Sequence, residues 1–165
     1  DELSAQIIDG RTVAELITER SGVTGEKMEL GFYEFVKDAM AVEYIHPGNK
    51  LASIVAFAES GADYQVARDI AMQIAAMSPI ALDRASVPAN IVEKELEIGR
   101  EKAREEGKPE NILDKIAQGR LNKFYQEVTL MEQAFIKDAK LTVGEYTKAN
   151  KATPTAFKRI TLNEE

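Results

Sequence analysis

Between Pro88 and Glu127 the chain carries dense charge, apolar residues at helical spacing and one sharp break at Gly107-Lys108-Pro109. That pattern specifies two helices folded back on each other. A long, charged helical hairpin buries little of itself. It either projects from a globular body or docks on a partner; the alternative is a helix pair packed inside an ordinary α+β domain. Pro88 suits the first turn of a helix, where its missing N–H is not needed, and Ser86 just upstream is a candidate cap. Val92, Leu96, Gly99 and Ala103 step along one face, with Ile91 and Ile98 beside it. Gly107 can take the left-handed conformation that ends a helix, and Pro109 restarts one. In the second helix Ile112, Leu113, Ile116, Ala117, Leu121 and Phe124 form the apolar stripe. With about 18 residues in each helix, the arm would be roughly 27 Å long. Glu93, Glu97, Glu101 and Glu105 repel their neighbours one turn apart, as do Glu110 and Asp114. Arg100 beside Glu97 and Arg104 beside Glu101 are expected to offset part of this.

The arm is an insertion, because a hairpin must leave and rejoin one body at neighbouring points. The expected organisation is a core α+β subdomain made of residues 1–87 and 128–165, with the hairpin 88–127 inserted. Residues 1–39 are the alternative end of a preceding subdomain.

The rest of the chain supports that order. Residues 11–20 read as a helix, with Val13, Leu16 and Ile17 on one face and Ser21-Gly22 interrupting it. Residues 31–37 (GFYEFVK) fit neither period cleanly and are assigned to strand. Residues 40–58 give the clearest β-hairpin: a β-rich run, Pro47-Gly48-Asn49 as turn, then a return strand with Leu51, Ile54, Val55 and Phe57 to bury. Tyr64 to Met77 fits a helix with Val66, Ile70, Ile74 and Met77 on one stripe. Ala67, Ala71, Ala75 and Ala76 would let it press close to a sheet, and Ser78-Pro79 ends it. Residues 128–138 look extended, or like a surface crossing at Glu132-Gln133. Thr142 with Glu145 forms a candidate capping box for a short helix. Phe157, Ile160 and Leu162 mark a final strand. Helices and antiparallel strands are segregated, so the fold class is α+β: a small antiparallel sheet packed with helices, plus the inserted helical hairpin.

Composition narrows the function. The 28 acidic against 21 basic residues give a net charge of −7. That disfavours broad phosphate binding, and neither direct nucleic-acid binding nor membrane association is expected. No cysteine is present, which removes disulfides, thiol nucleophiles and thiolate metal sites. The apolar runs are too short to span a bilayer, and the opening residues do not read as a signal peptide. A cytoplasmic protein is the expected reading. The start at Asp1, without methionine, suggests processing or a piece of something longer.

Enzyme chemistry is not signalled. His46 is the only histidine, so no usual zinc set can be completed. No serine sits in a nucleophile-elbow pattern, and Gly22 and Gly25 are not followed by the Gly-Lys-Ser/Thr of a phosphate-binding loop. The expectation is a non-enzymatic protein without metal or cofactor. His46 itself is either a turn histidine capping a carbonyl or an exposed recognition residue at a hairpin tip.

Taken together, several segments resemble the bacterial translation elongation factor Ts family. Asp69 to Pro79 (DIAMQIAAMSP) resembles that family's "AMHIAAxxP" helix, with Gln73 where histidine is usual. Ile91-Val-Glu-Lys-Glu95 resembles "VVEKE" at the start of its coiled-coil arm, Gly107-Lys-Pro109 its "SGKP" tip, and Gly119 to Glu127 its returning "GRMxKFxxE". Leu141-Thr-Val-Gly144 matches "KTVG", Phe157-Lys-Arg159 the final strand, Thr24-Gly-Glu-Lys27 "IGENI", and Tyr44-Ile-His-Pro-Gly48 the "YIHxG" hairpin. The matches are collinear and cover nearly all of the chain.

The resemblance implies a guanine-nucleotide exchange factor that binds elongation factor Tu and promotes GDP release. It implies that Tyr44, His46, Pro47, Gly48 and Asn49 are partner-binding residues, since the histidine of that hairpin lies against the third domain of elongation factor Tu. Two family stretches, "TGAGMMDCKKAL" and the "TDFV" segment associated with disturbing the magnesium and phosphate site, would precede Asp1. The chain therefore reads as the carboxy-terminal half, supplying partner binding rather than the exchange motif. The rival reading is a structural or oligomerisation module whose arm pairs chains and has no exchange role; arms in this family also mediate self-association.

Overall fold

The structure, a computed structural model, describes residues 2–162. It divides into two compact units between Glu34 and Phe35.

The first unit opens with a two-residue hairpin, β1 (Ile7–Ile8) and β2 (Arg11–Thr12), paired antiparallel. Asp9 and Gly10 turn it with φ of 52° and 82°, the two left-handed positions that a type I′ hairpin turn requires. Helix α1 (Val13–Thr24) follows at once. Thr12 caps it reciprocally: its Oγ1 accepts the Glu15 N–H, and the Glu15 carboxylate accepts the Thr12 N–H at 2.8 Å. Ser21-Gly22 does not interrupt the helix as expected. A mid-helix glycine weakens a helix without breaking it, and Ser21 Oγ bonds back to the Ile17 carbonyl at 3.2 Å. The stop comes at Gly25, in the left-handed region at φ 71°. No residue of α1 is buried.

The strand assigned to residues 31–37 does not form; the backbone from Lys27 to Lys37 is irregular. Its aromatic residues stay outside, with Phe32 61%, Tyr33 62% and Phe35 67% exposed. A strand needs one face against a core, and these side chains do not alternate onto one.

The second unit runs β3 (Met40–Ile45), β4 (Leu51–Phe57), α2 (Tyr64–Met77), α3 (Ala89–Glu105), α4 (Leu113–Val128), β5 (Ala134–Phe135), β6 (Asp138–Thr142), α5 (Val143–Ala149) and β7 (Pro154–Thr161). Strands β3, β4 and β7 form an antiparallel sheet in the order β3-β4-β7, and β5 pairs with β6. The fold class is α+β. Asp63 caps α2 by accepting the N–H groups of Gln65 and Val66 at 2.8 and 3.1 Å. Val66, Ile70 and Ile74, spaced by alanines, press on Val42, Val55 and Phe57 of the sheet. Each large side chain buried here is worth about 1.5–3 kcal/mol. The small residues bring helix and sheet close enough for Ser53 Oγ to bond the Ala71 carbonyl at 2.5 Å. Ala76 and Met77, assigned to the buried side, are exposed in the last turn.

Helices α3 and α4 form the arm, turning at Gly107 (φ 73°). Gly99, Ala103, Leu113, Ala117 and Leu121 are buried along their seam. Pro88 takes the N-cap position rather than the first turn, without a side-chain cap bond. Ser86 does not cap α3. It closes a separate 3-10 turn, where its N–H and Oγ–H are accepted by Asp83. The arginines expected to offset acids on their own helix also reach across: Arg100 to Asp114 at 2.6 Å and Arg104 to Glu110 at 2.8 Å. The Glu110 hydrogen bond, with the nearby Glu101 charge adding to it, raises the Arg104 pKa. A long guanidinium stem spans the seam while its head stays in water.

The chain before and after the arm runs side by side. Ile80 N–H donates to the Val128 carbonyl, and Leu130 and Met131 donate to Ala81 and Leu82. Arg84 bonds both carboxylate oxygens of Glu132 at 2.5 and 2.7 Å, donates to Asn122, and lies 4.9 Å over the Tyr125 ring. The Glu132 hydrogen bond raises the Arg84 pKa. The stretch expected as extended or as a surface crossing, residues 128–138, turns at 130–132 before extending into β5. Gln133 is buried while Glu132 stays half-exposed.

Candidate functional site

The β3–β4 hairpin is in register from Met40 opposite Phe57 to Ile45 opposite Ala52. Beyond it, His46 N–H donates to the Leu51 carbonyl at 2.9 Å, and Asn49 N–H donates to the His46 carbonyl at 3.0 Å. Pro47 and Gly48 are the central residues, and Gly48 at φ 95° supplies the positive angle that a type II turn needs there. Asn49 follows at φ 56°, a left-handed position asparagine tolerates. His46 through Lys50 are all exposed.

Tyr44 differs from the other four residues assigned to this site. It is half-buried, with its ring packed against the core. Residues two apart on a strand share a face, so Tyr44 and His46 point the same way. The Tyr44 hydroxyl stands 3.0 Å from His46 Nδ1, and the rings are tilted by 54° with centroids 6.0 Å apart. The five residues thus lie together, with Tyr44 and His46 in direct contact. Ile45, outside the assigned set, points to the opposite face and is 59% exposed at the tip. The alternation of β3 was the signal for it.

Two buried polar groupings were not visible in the sequence. Gln73 and Gln133, both fully buried, join side chain to side chain at 3.2 Å. Gln73 also donates to the Ala134 carbonyl and accepts the Ile136 N–H, while Gln133 donates to the carbonyls of Met77 and Glu127. Asp69, 5% exposed, accepts from Lys137 at 2.6 Å, Gln65 at 2.7 Å and the Tyr146 hydroxyl at 3.2 Å. Burial, and then the Asp69 charge, push the Tyr146 phenol up. Phe135 stacks on that ring at 4.1 Å. An acid so fully paired is a structural knot rather than a poised base. Within the first unit, Ile8, Val13, Leu16, Ile17, Met28 and Leu30 line an apolar groove of about 230 Å³. Among the described residues no group of three or more His, Cys, Asp or Glu could hold a metal ion, and no helix is long and apolar enough to cross a membrane.

The sequence matches the family model for elongation factor TS over residues 1–164. The chain belongs to the elongation factor Ts family. It is 56% identical over 163 residues to the elongation factor Ts of Porphyromonas gingivalis, covering 98% of this chain and 59% of that protein. The Azobacteroides pseudotrichonymphae elongation factor Ts is 55% identical over 167 residues, covering all of this chain and 61% of that protein. A Hydrogenobaculum relative of the same name is 43% identical over 155 residues. The chain therefore spans about three-fifths of the length of the first two relatives.

Proposed function

We propose that this chain is the partner-binding part of a guanine-nucleotide exchange factor, docking on elongation factor Tu through the hairpin tip at Tyr44, His46, Pro47, Gly48 and Asn49. Its place of action would be the cytoplasm, and it would catalyse no covalent chemistry of its own. The observation that carries this reading is the family match across the chain; the exposure of the tip on a well-registered hairpin supports it locally. Exchange requires binding the nucleotide-free state more tightly than the GDP-bound state, because only differential affinity shifts an equilibrium. A docking surface that binds both states equally holds the complex together without speeding release.

In this reading residues 88–127 are an insertion into the body formed by the rest of the second unit. The side-by-side backbone before and after the arm supports that. Self-association through the arm has less support, because its buried stripe is already used in its own seam.

The test is stopped-flow release of a fluorescent GDP analogue from elongation factor Tu, together with a pull-down. The chain should form a complex yet accelerate release far less than a full-length relative. Absence of a complex would favour a structural module. A release rate equal to that of the full-length relative would put the exchange machinery within these residues.

A further inference from the structure

We infer that Tyr44 is a positioning residue for His46. It holds the imidazole with its proton on Nε2, so that the hairpin tip offers an N–H donor to an oxygen acceptor on the partner. This rests on the proposed contact with elongation factor Tu for the identity of that partner.

A histidine on an exposed turn ordinarily samples several rotamers and both neutral tautomers. His46 is constrained from two sides. Its backbone is pinned by the bonds to Leu51 and Asn49. Its Nδ1 faces the hydroxyl of a tyrosine whose own ring is anchored against the core. A phenol donates more readily than it accepts, and the tautomer of a histidine follows the hydrogen bond made by its other nitrogen. With Nδ1 accepting from Tyr44, the proton resides on Nε2, on the far side of the ring. Ile45 and Pro47, its chain neighbours, are both exposed, with Ile45 on the opposite face of the strand. The His46 face of the tip therefore offers one oriented donor. It fits a partner surface that presents a carbonyl or carboxylate oxygen, and it would be refused by a surface offering only donors. Fixing the ring beforehand also lowers the ordering cost on association.

Because His46 is the only histidine, ¹⁵N-histidine labelling of the chain gives a single imidazole. A long-range ¹H–¹⁵N correlation on the alkaline side of neutrality reads its tautomer directly. The expected spectrum has one pyrrole-like nitrogen at Nε2 and one pyridine-like nitrogen at Nδ1, and Tyr44→Phe should move both toward averaged values. Tyr44→Phe keeps the anchored ring, so the melt should stay cooperative. Calorimetric affinity for elongation factor Tu with GDP bound should fall about 3- to 10-fold. A proton on Nδ1 in the parent chain, or nitrogen shifts unchanged by Tyr44→Phe, would overturn the positioning role even if affinity fell. His46→Ala without loss of affinity would overturn the acceptor recognition together with the proposed contact. The two failures are separable, because the nitrogen shifts are read on the free chain.

Discussion

Gly99 and Ala117 meet backbone to backbone across the arm: a β-carbon on Gly99 would stand 2.9 Å from the Ala117 Cα and 3.1 Å from its Cβ. The seam between α3 and α4 is set by this approach, with Ala103 and Leu121 buried alongside it.

Gly99→Ala should therefore destabilise the arm, although alanine is normally the better helix residue by about 1 kcal/mol. The obstacle is the Ala117 backbone, which cannot rotate away, so the helices must separate along the seam. Gly119 lies on the exposed face of α4 with nothing within 4 Å of its added carbon. Gly119→Ala should stabilise by about 0.5–1 kcal/mol. Thermal melts followed by helical circular dichroism compare the pair. Equal shifts of the same sign would show that the seam does not depend on close approach.

Gln133→Leu should cost about 2–3 kcal/mol, because it leaves the carbonyls of Met77 and Glu127 and one end of Gln73 without their buried donor or acceptor. A urea titration measures this. The same change at Gln126, which is exposed, should stay within about 0.5 kcal/mol.

What could be read from the sequence follows from the range of the interactions involved. The Thr142–Glu145 capping box and the Pro47-Gly48 turn are local, and both formed as read, the box with Thr142 N–H at 2.7 Å from the Glu145 carboxylate. The Asp9-Gly10 turn was equally local, but its strands are two residues long and carry no alternation. Burial of Gln133 rests on α2, 60 residues earlier, and Asp69 meets its partners 68 and 77 residues later. No spacing rule reaches that far. The arginines of α3 are a different case: Arg104 meets Glu110 six residues on and Arg100 meets Asp114 fourteen on, so the fold-back of the arm rather than helical spacing sets these pairs. At the candidate site the hairpin and its tip were legible, whereas the hydroxyl of Tyr44 against Nδ1 of His46 needed side-chain geometry.

Acid should loosen the start of β7. Glu59 accepts Thr153 Oγ1–H and N–H at 2.6 and 2.7 Å, and Asp38 accepts Thr155 Oγ1–H at 2.6 Å. These hydroxyl bonds are the main cause holding both carboxyls below their ordinary pKa. A carboxyl depressed in the folded state contributes stability that is fully present above the ordinary carboxylate range. That contribution is lost as pH falls through the lower folded value. Asp38 is exposed and Glu59 partly exposed, so the effect is small but directional. The melting temperature of Glu59→Gln with Asp38→Asn should fall less between pH 5 and pH 3, chosen from about the carboxylate range, than that of the parent chain. Parallel curves would mean that neither carboxylate gains from its threonine.

The outer part of the arm should be dispensable for folding of the second unit. Its root is fixed by contacts outside that part: the backbone bonds joining Ile80, Ala81 and Leu82 to Val128, Leu130 and Met131, and Arg84 on Glu132, Asn122 and Tyr125. Beyond the root, the ion pairs of Arg100 and Arg104 join one arm helix to the other. Replacing residues 97–119 with a short Gly/Ser linker keeps Arg84 and all its partners. The cost of closing the new loop changes only slowly with its length, by about 0.6 kcal/mol per doubling. The shortened chain should lose helical signal in proportion to the residues removed and still melt cooperatively. Its hairpin tip should bind elongation factor Tu as the parent does, if docking runs through His46. A broad, non-cooperative melt would show instead that the arm helps to build the core, and a cooperative melt with lost binding would move the docking surface onto the arm.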